Sequence, residues 1–489
     1  MSIRKNTTYN LIGTILPLGI SLITIPIYID VIGESRYGVL AIAWLLLGYF
    51  GLFDLGLGRA TAQRIAMLAN GNSAEKAETF WTALAMNSGL GLLGGVLMWL
   101  LASYFFGNHF KVEEALKPEI LSAILWLALA VPVATMSGVF TGTLQGSSRF
   151  LELNVISVSS SVLLQTVPLA VAALYGPDLK WLILSAIFTR FFISIVMFQR
   201  CYSNVVKGFA PKISKALSGK LLKFGGWVTV SSVIGPMMVI LDRFIIGALL
   251  GAKSVTFYTV PFQLSQRTSV IPVALSSALF PRLAKAQTDA DRSKLANKAI
   301  KSLAVVMTPL VLFGVFTIEW FLSIWIGNDF SNQASQVGQI ILLGFWMNAM
   351  AHIPLALLQA SGKPDVVAKC HLAEVVPYFV LLYFGLQLFG IAGAAIAFSA
   401  RATVDTLLLL YWARIFGESM KLLWAPIFFM FSGLVLISIQ HEGWVWLSAI
   451  SLVYAVSVWW AIINMPREVR ELISRFVPLR LRAMIEHKP

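Results

Sequence analysis

Leu144-Gln145-Gly146-Ser147-Ser148-Arg149 and Leu358-Gln359-Ala360-Ser361-Gly362-Lys363 match in residue type at all six positions, at an offset of 214. Each closes a long apolar stretch. A second pair agrees: Gly33 stands 31 residues before Arg64-Ile65-Ala66, and Gly251 stands 31 residues before Arg282-Leu283-Ala284, at an offset of 218. Chance similarity in apolar sequence of low diversity is the competing explanation. Two independent matches at nearly one offset instead point to a duplicated structural unit.

The sequence around these phrases belongs to a membrane. Hydrophobic residues make up 58% of the chain and charged residues 12%, against about 45–50% and about 25% in ordinary soluble domains. Apolar stretches of about 20 residues, at 1.5 Å of helix rise each, are long enough for a hydrocarbon core of ~30 Å. The hydropathy predicts fourteen spans, at 10–32, 38–64, 81–106, 119–144, 152–175, 180–200, 225–250, 255–281, 302–326, 336–360, 366–388, 390–414, 424–440 and 443–463. The fold class is therefore an all-α polytopic membrane protein. Spans 1–6 and 7–12 are the two copies; because six is even they share orientation, as in parallel-repeat transporters whose symmetry axis lies along the membrane normal. The expected divisions are a first lobe at 1–200, a basic linker at 201–224, a second lobe at 225–415, spans 13 and 14 within 416–463, and a tail at 464–489. No segment between spans is long enough to fold as a soluble domain. In the tail, Arg467, Arg470, Arg475, Arg480 and Arg482 alternate with Val469, Leu472, Ile473, Phe476 and Leu481, a pattern suited to an anionic membrane surface.

A net charge of +14 invites a nucleic-acid reading, which the distribution of the charges refutes. With the N-terminus in the cytoplasm, basic residues crowd the linker, the 282–301 loop and the tail, leaving only Arg36, Lys111, Lys117, Lys180 and Lys253 on the opposite side. The positive-inside rule then puts both termini in the cytoplasm. Cys201 and Cys370 fall near cytoplasmic helix ends, where a disulfide is not expected. Span 1 follows Arg4 and Lys5 but is too long for a signal-peptide core and lacks a small-x-small cleavage site, so it stays as a helix. Gly219-Lys220 and Gly362-Lys363 lack the first glycine and the hydroxyl residue of a phosphate-binding loop, which excludes ATP binding of that kind. No His/Cys cluster has metal-ligand spacing, no loop could display a nucleophile triad, and every outer loop has about fifteen residues or fewer. Neither an enzyme nor a cofactor is expected.

The functional signal lies in five arginines inside spans: Arg59, Arg190, Arg243, Arg267 and Arg401. Near the bilayer centre each costs about 2.5–3.5 kcal/mol on the insertion scale. A guanidinium without an acid wants an anion, and its planar fork matches phosphate oxygens bidentately. Arg190 and Arg267 are near mid-span with no acid within a helical turn, and are the leading ligand candidates. Arg59, five residues after Asp54, either snorkels or meets a headgroup arriving from the cytoplasm. Arg243 follows Asp242, but adjacent helical residues diverge, and its position near the outer leaflet permits snorkelling. Arg401 has Asp405 one turn on, so an intrahelical ion pair competes with ligand binding. The acids Asp54, Asp242, Glu319, Glu374 and Asp405 also number five, and mutual neutralisation across helices is the plainest alternative. Glu374, with His371 three residues before it, forms the best protonatable pair for ion coupling, with Asp54 and Asp405 as further candidates. His352 reads as a core histidine.

Prolines at 17, 26, 132, 168, 236, 261, 272, 309, 354 and 377 interrupt spans, as membranes tolerate where neighbours satisfy the freed backbone. Gly138, Gly142 and Gly146 form two small-xxx-small steps, which favour close backbone contact with a neighbouring helix.

Gly33-x3-Tyr37-Gly38, the run Tyr49-Phe50-Gly51-Leu52-Phe53-Asp54-Leu55-Gly56-Leu57-Gly58, Leu144-Gln145-Gly146-x2-Arg149-Phe150, and Leu241-Asp242-Arg243-x-Ile245-Ile246-Gly247 with Tyr258 resemble the polysaccharide biosynthesis (Wzx-type) oligosaccharide-lipid flippases. These belong to the multidrug/oligosaccharidyl-lipid/polysaccharide exporter superfamily. The similarity covers essentially the whole chain. It implies two six-helix lobes in a V shape, alternating access in a bacterial inner membrane, and a cationic cavity for an undecaprenyl-pyrophosphate-linked oligosaccharide of O-antigen, capsule or exopolysaccharide type. Spans 13 and 14 would form a groove for the polyprenyl tail. Implied partners are that lipid-linked glycan, membrane lipids, and the polymerase and glycosyltransferases of the same pathway. A lipid II flippase is an alternative, though its first helix is expected to carry arginines and span 1 here has no basic residue between Lys5 and Arg36. A multidrug exporter would have twelve helices and an acidic cation site, and a non-transporting scaffold would be indifferent to arginine substitutions inside spans.

Overall fold

The computed structural model describes residues 3–49, 54–68, 73–439, 443–466 and 470, with side chains in all of these except 3–15, 49, 223–236 and 239. Most of the amphipathic tail and part of the 49–58 motif therefore lie outside the described residues. Every regular element described is helical. The order is α1 (Ile3–Ile32), α2 (Glu34–Tyr49), α3 (Leu57–Met67), α4 (Ser73–Asn108), α5 (Lys117–Gly146), α6 (Phe150–Tyr175), α7 (Leu179–Cys201) and α8 (Lys215–Leu250). It continues with α9 (Ala252–Gln266), α10 (Val270–Lys285), α11 (Asp289–Trp325), α12 (Asn328–Ala360), α13 (Pro364–Phe389), α14 (Ile391–Trp412), α15 (Phe416–Ser438) and α16 (Trp444–Asn464). Among the described residues ten helices are long and apolar enough to cross a membrane. Each expected span coincides with one helix, except the second and eighth, which are each split into two.

The quoted phrases fold alike. At the end of α5, the backbone N–H groups of Ser147, Ser148 and Arg149 donate to the carbonyls of Thr143, Gln145 and Leu144. At the end of α12, those of Ser361, Gly362 and Lys363 donate to Leu357, Gln359 and Leu358. The third residue from the end of each phrase is an ordinary helix exit, and the next is left-handed, with φ of 58° at Ser148 and 75° at Gly362. A left-handed residue after the last turn satisfies carbonyls that the helix leaves without partners. The second pair agrees as well: Gly33 and Gly251 both have positive φ, 79° and 94°, and separate consecutive helices.

The chain forms two compact units, Met1–Thr256 and Phe257–Pro489. In the first, Phe80, Phe140 and Phe198 gather around a core shared by α3 to α7. The linker expected at 201–224 begins as a π-helical turn at Tyr202–Val206 and has entered α8 by Lys215. Although the repeat assigns α8 to the second copy, its far end is tied into the first unit. Lys111 Nζ donates to Leu249 O at 2.8 Å, and Lys253 Nζ lies 2.8 Å from Glu34 Oε2. The Lys111 backbone N–H donates to Gly247 O at 3.2 Å. Nearby, Arg36 and Glu119 form a 2.7 Å ion pair. That hydrogen bond to Glu119 raises the guanidinium pKa further above its ordinary value.

The small-residue steps on α5 pack against α3. A Cβ on Gly58 would lie 2.7 Å from Gly138 O, a Cβ on Gly146 would lie 2.6 Å from Ala62 O, and a Cβ on Gly142 would collide with Gly58 O. Backbone cannot retreat as a flexible side chain can. Gly142→Ala is accordingly expected to lower stability by about 1–3 kcal/mol through overpacking. Gly89→Ala, where nothing lies within 4 Å, should leave it unchanged or slightly raised; thermal unfolding in detergent compares the two. In the second unit, Gly385 and Gly393 bring α13 and α14 together in a hairpin through Gly390.

Candidate functional site

Both copies break the helix that was expected to be their second span. In the first unit the break lies before α3, where Asp54 Oδ1 accepts from Gly56 N at 2.7 Å and Asp54 Oδ2 from Gly58 N at 3.2 Å. Leu55 and Gly56 both take positive φ, 48° and 69°. Asp54, an ion-coupling candidate, is buried here with its carboxylate capping the new helix. In the second unit α9 passes into a 3-10 turn, Arg267–Ser269, before α10 begins. Irregular backbone at membrane depth survives where it is buried in protein or lines a wet cavity. Interruptions in corresponding segments of two repeats mark the substrate sites of many transporters. Arg267 sits in the second break. Arg59 follows the first, exposed on α3 and within electrostatic reach of Asp54.

Arg190 extends the buried stripe of α7, which runs through Ile183, Ala186, Ile187, Ile193, Ser194 and Met197. A guanidinium thus occupies a position whose neighbours one turn away on either side are core residues. It is half-buried, and among the described residues no acid pairs with it. The same holds for Arg267, which is exposed. Of the five arginines, the two expected to lack a local acid, Arg190 and Arg267, have none among the described residues.

The other arginines are partnered. Arg243 is 2% exposed, and its Nη1 donates to both carboxylate oxygens of Asp242, at 2.7 and 2.9 Å. Divergence of adjacent Cβ atoms had argued against this pair, and a buried position rules out snorkelling. The long arginine side chain bends back far enough to close the gap that Cβ geometry leaves.

Arg401 also differs from expectation. It does not pair with Asp405 along its own helix, nor does His371 pair with Glu374; the partners cross. Arg401 Nη1 on α14 lies 3.8 Å from Glu374 Oε2 on α13, and His371 Nε2 on α13 lies 3.5 Å from Asp405 Oδ1 on α14. The Arg401 guanidinium also stands 5.6 Å from the Tyr378 ring centre and 5.8 Å from that of Phe398. Glu374 and Asp405 are 4% and 5% exposed. Two carboxylates, one guanidinium and one imidazole thus share a site that a single proton can recharge. His352, read as a core histidine, sits on α12 within electrostatic reach of Asp405. Cys201 and Cys370 are free and lie in separate units.

Described elements that are all helical, ten of them long and apolar enough to cross a membrane, together with paired breaks and guanidinium groups in or between apolar helices, define a multi-pass membrane transporter. Its fold matches that of the lipid II flippase MurJ in an inward closed conformation, with a TM-score of 0.72 over 96% of this chain and 100% of that chain, at 13% sequence identity. The chain belongs to the polysaccharide biosynthesis protein family, whose model matches residues 31–335. It is 32% identical to a putative O-antigen transporter of Shigella flexneri, over 84% of this chain and 97% of that one. It is 22% identical to the lipopolysaccharide biosynthesis protein WzxC of Escherichia coli (strain K12), over 83% and 81%.

Proposed function

We propose that this chain flips a polyprenyl-pyrophosphate-linked oligosaccharide, a repeat unit of O-antigen, capsule or exopolysaccharide, from the cytoplasmic to the outer leaflet of a bacterial inner membrane. The observation that carries this reading is that Arg190 and Arg267, one in each repeat, have no acidic partner among the described residues. Packing does not require a lone guanidinium in an apolar helix, as at Arg190, or in the break between two apolar helices, as at Arg267, whereas a passenger bearing two phosphates does. The relatives' roles in O-antigen transport and lipopolysaccharide biosynthesis point to the same class of cargo. Flipping moves a polar headgroup through hydrocarbon without making or breaking a covalent bond, so positioned charge and alternating access suffice.

We infer further that the Glu374, Asp405, His371 and Arg401 cluster takes up the coupling proton. Its charge balance changes with one proton, and it lies on a tight two-helix hairpin whose packing would respond. In proteoliposomes, a fluorescent polyprenyl-pyrophosphate oligosaccharide should reach the opposite leaflet faster under an imposed pH gradient. Transport of lipid II alone, or of a cationic dye without any glycan-lipid, would overturn the cargo assignment. Equal rates with and without the gradient would overturn the coupling.

A further inference from the structure

We propose that the second unit carries a separate binding site for a phosphate-ester oxyanion, at the end of the helices where α12 meets α13 and where α14 closes. A cavity of about 280 Å³ lies there, lined by Arg292, Lys363, Arg414, Asp289, Ser361 and Trp412. Arg292 is held in place by Asp289, at 3.1 Å, and by the Leu283 carbonyl, at 3.3 Å. Lys363 and Arg414 make no ion pair among the described residues. Three cations facing one carboxylate leave an excess of positive charge in a concave site, which favours an anion.

A second, independent observation concerns Arg414. The end of α14 folds into the same turn as the two repeated phrases: the N–H groups of Ala413, Arg414 and Ile415 donate to the carbonyls of Leu409, Tyr411 and Leu410. The left-handed position is Ser148 at the end of α5 and Gly362 in the neighbouring turn, and here it is Arg414, at φ 59°. Glycine occupies that conformation freely, while a residue with a Cβ is strained in it. Unlike Ser148, the residue held in that conformation here is a cation that lines the cavity beside two others, Arg292 and Lys363, and strain kept at such a place fits a ligand site. In the first unit, the cation that the repeat matches to Lys363, Arg149, is instead neutralised by Glu152 at 2.7 Å, so the cavity is not a by-product of the repeat.

Trp412 and Tyr411 stand exposed beside the cavity, as aromatic residues do at a membrane interface. The phosphate oxygens can therefore belong to an anionic lipid headgroup or to a soluble phosphate. The site lies outside the arginine pair assigned to cargo and does not depend on it.

The test uses the full chain in detergent, titrated with phosphatidylglycerol, cardiolipin, phosphatidylcholine and inorganic phosphate, with bound molecules counted by native mass spectrometry. Wild type should retain the anionic lipids over phosphatidylcholine. Arg414→Gly and Lys363→Gln should each weaken that retention about fivefold. Inorganic phosphate that binds without any lipid preference would support the oxyanion site with a soluble source. Arg414→Gly should also raise Tm, because it relieves the strained turn. Undiminished anion binding in the double variant, or no anion binding by wild type, would overturn the proposal; so would a lower Tm for Arg414→Gly, which would make the arginine structural.

Discussion

With both Arg190 and Arg267 replaced by alanine, the chain is expected to fold and insert normally and to lose nearly all flipping. A hydrogen bond to a charged group contributes about 1.5–3 kcal/mol. Two such contacts to a pyrophosphate amount to about 3–6 kcal/mol, or about a 10²- to 10⁴-fold fall in transfer rate at low substrate. Stability should move the other way or not at all. Arg190 sits on the buried stripe of α7 without an acid to repay its desolvation, so alanine removes a cost; Arg267 is exposed and leaves no cavity. Lysine at either position keeps the charge but loses the planar fork, and should retain part of the rate. Leaflet transfer in proteoliposomes, read beside Tm, separates these outcomes. Transport at the wild-type rate by the folded double variant would remove both residues from the site.

The spans were legible because each carries its own signal: a run of apolar residues is a property of the segment, whatever it packs against. The repeated turns were legible for the same reason, since a left-handed residue after the last helical turn leaves its mark on six consecutive positions. The breaks were harder. Pro261 and Pro272 flank Arg267–Ser269, yet a proline in a membrane helix more often bends it than splits it, and the break before α3 depends on Asp54 turning its carboxylate onto Gly56 and Gly58. The α13–α14 pairing was not legible from spacing along either helix. His371 and Glu374 lie one turn apart, as do Arg401 and Asp405, and local spacing pairs each with its own neighbour. The hairpin through Gly390 runs antiparallel, so the members nearer the turn, Glu374 and Arg401, face each other, and the farther members, His371 and Asp405, do likewise. Facing helices outcompete the rung above, because side chains directed at the same neighbour meet it before they meet each other. Local spacing offers Arg190 and Arg267 no acid, and among the described residues the fold brings none to them either.

That crossed pairing sets the other large effect. Arg401→Met is expected to lower stability by about 3–5 kcal/mol, because it leaves Glu374 buried with its cation gone and Asp405 as a like-charged neighbour. Methionine keeps most of the contact with Tyr378 and Phe398, so the loss reports charge rather than volume. Adding Glu374→Gln removes the orphaned charge, and the double variant should recover most of the loss, since a buried ion pair replaced by neutral groups of similar size is often close to neutral. The four-membered cycle, followed by thermal unfolding in detergent, should therefore show a coupling energy of about 2–3 kcal/mol or more between the two positions. An intrahelical Arg401–Asp405 pair predicts the opposite pattern, with rescue by Asp405→Asn and none by Glu374→Gln. A proton-coupling role adds a readout that stability does not share: the rescued double variant should flip at a rate indifferent to an imposed pH gradient. A stable double variant that still responds to the gradient would leave the cluster as a structural clasp on the hairpin and move the coupling group elsewhere.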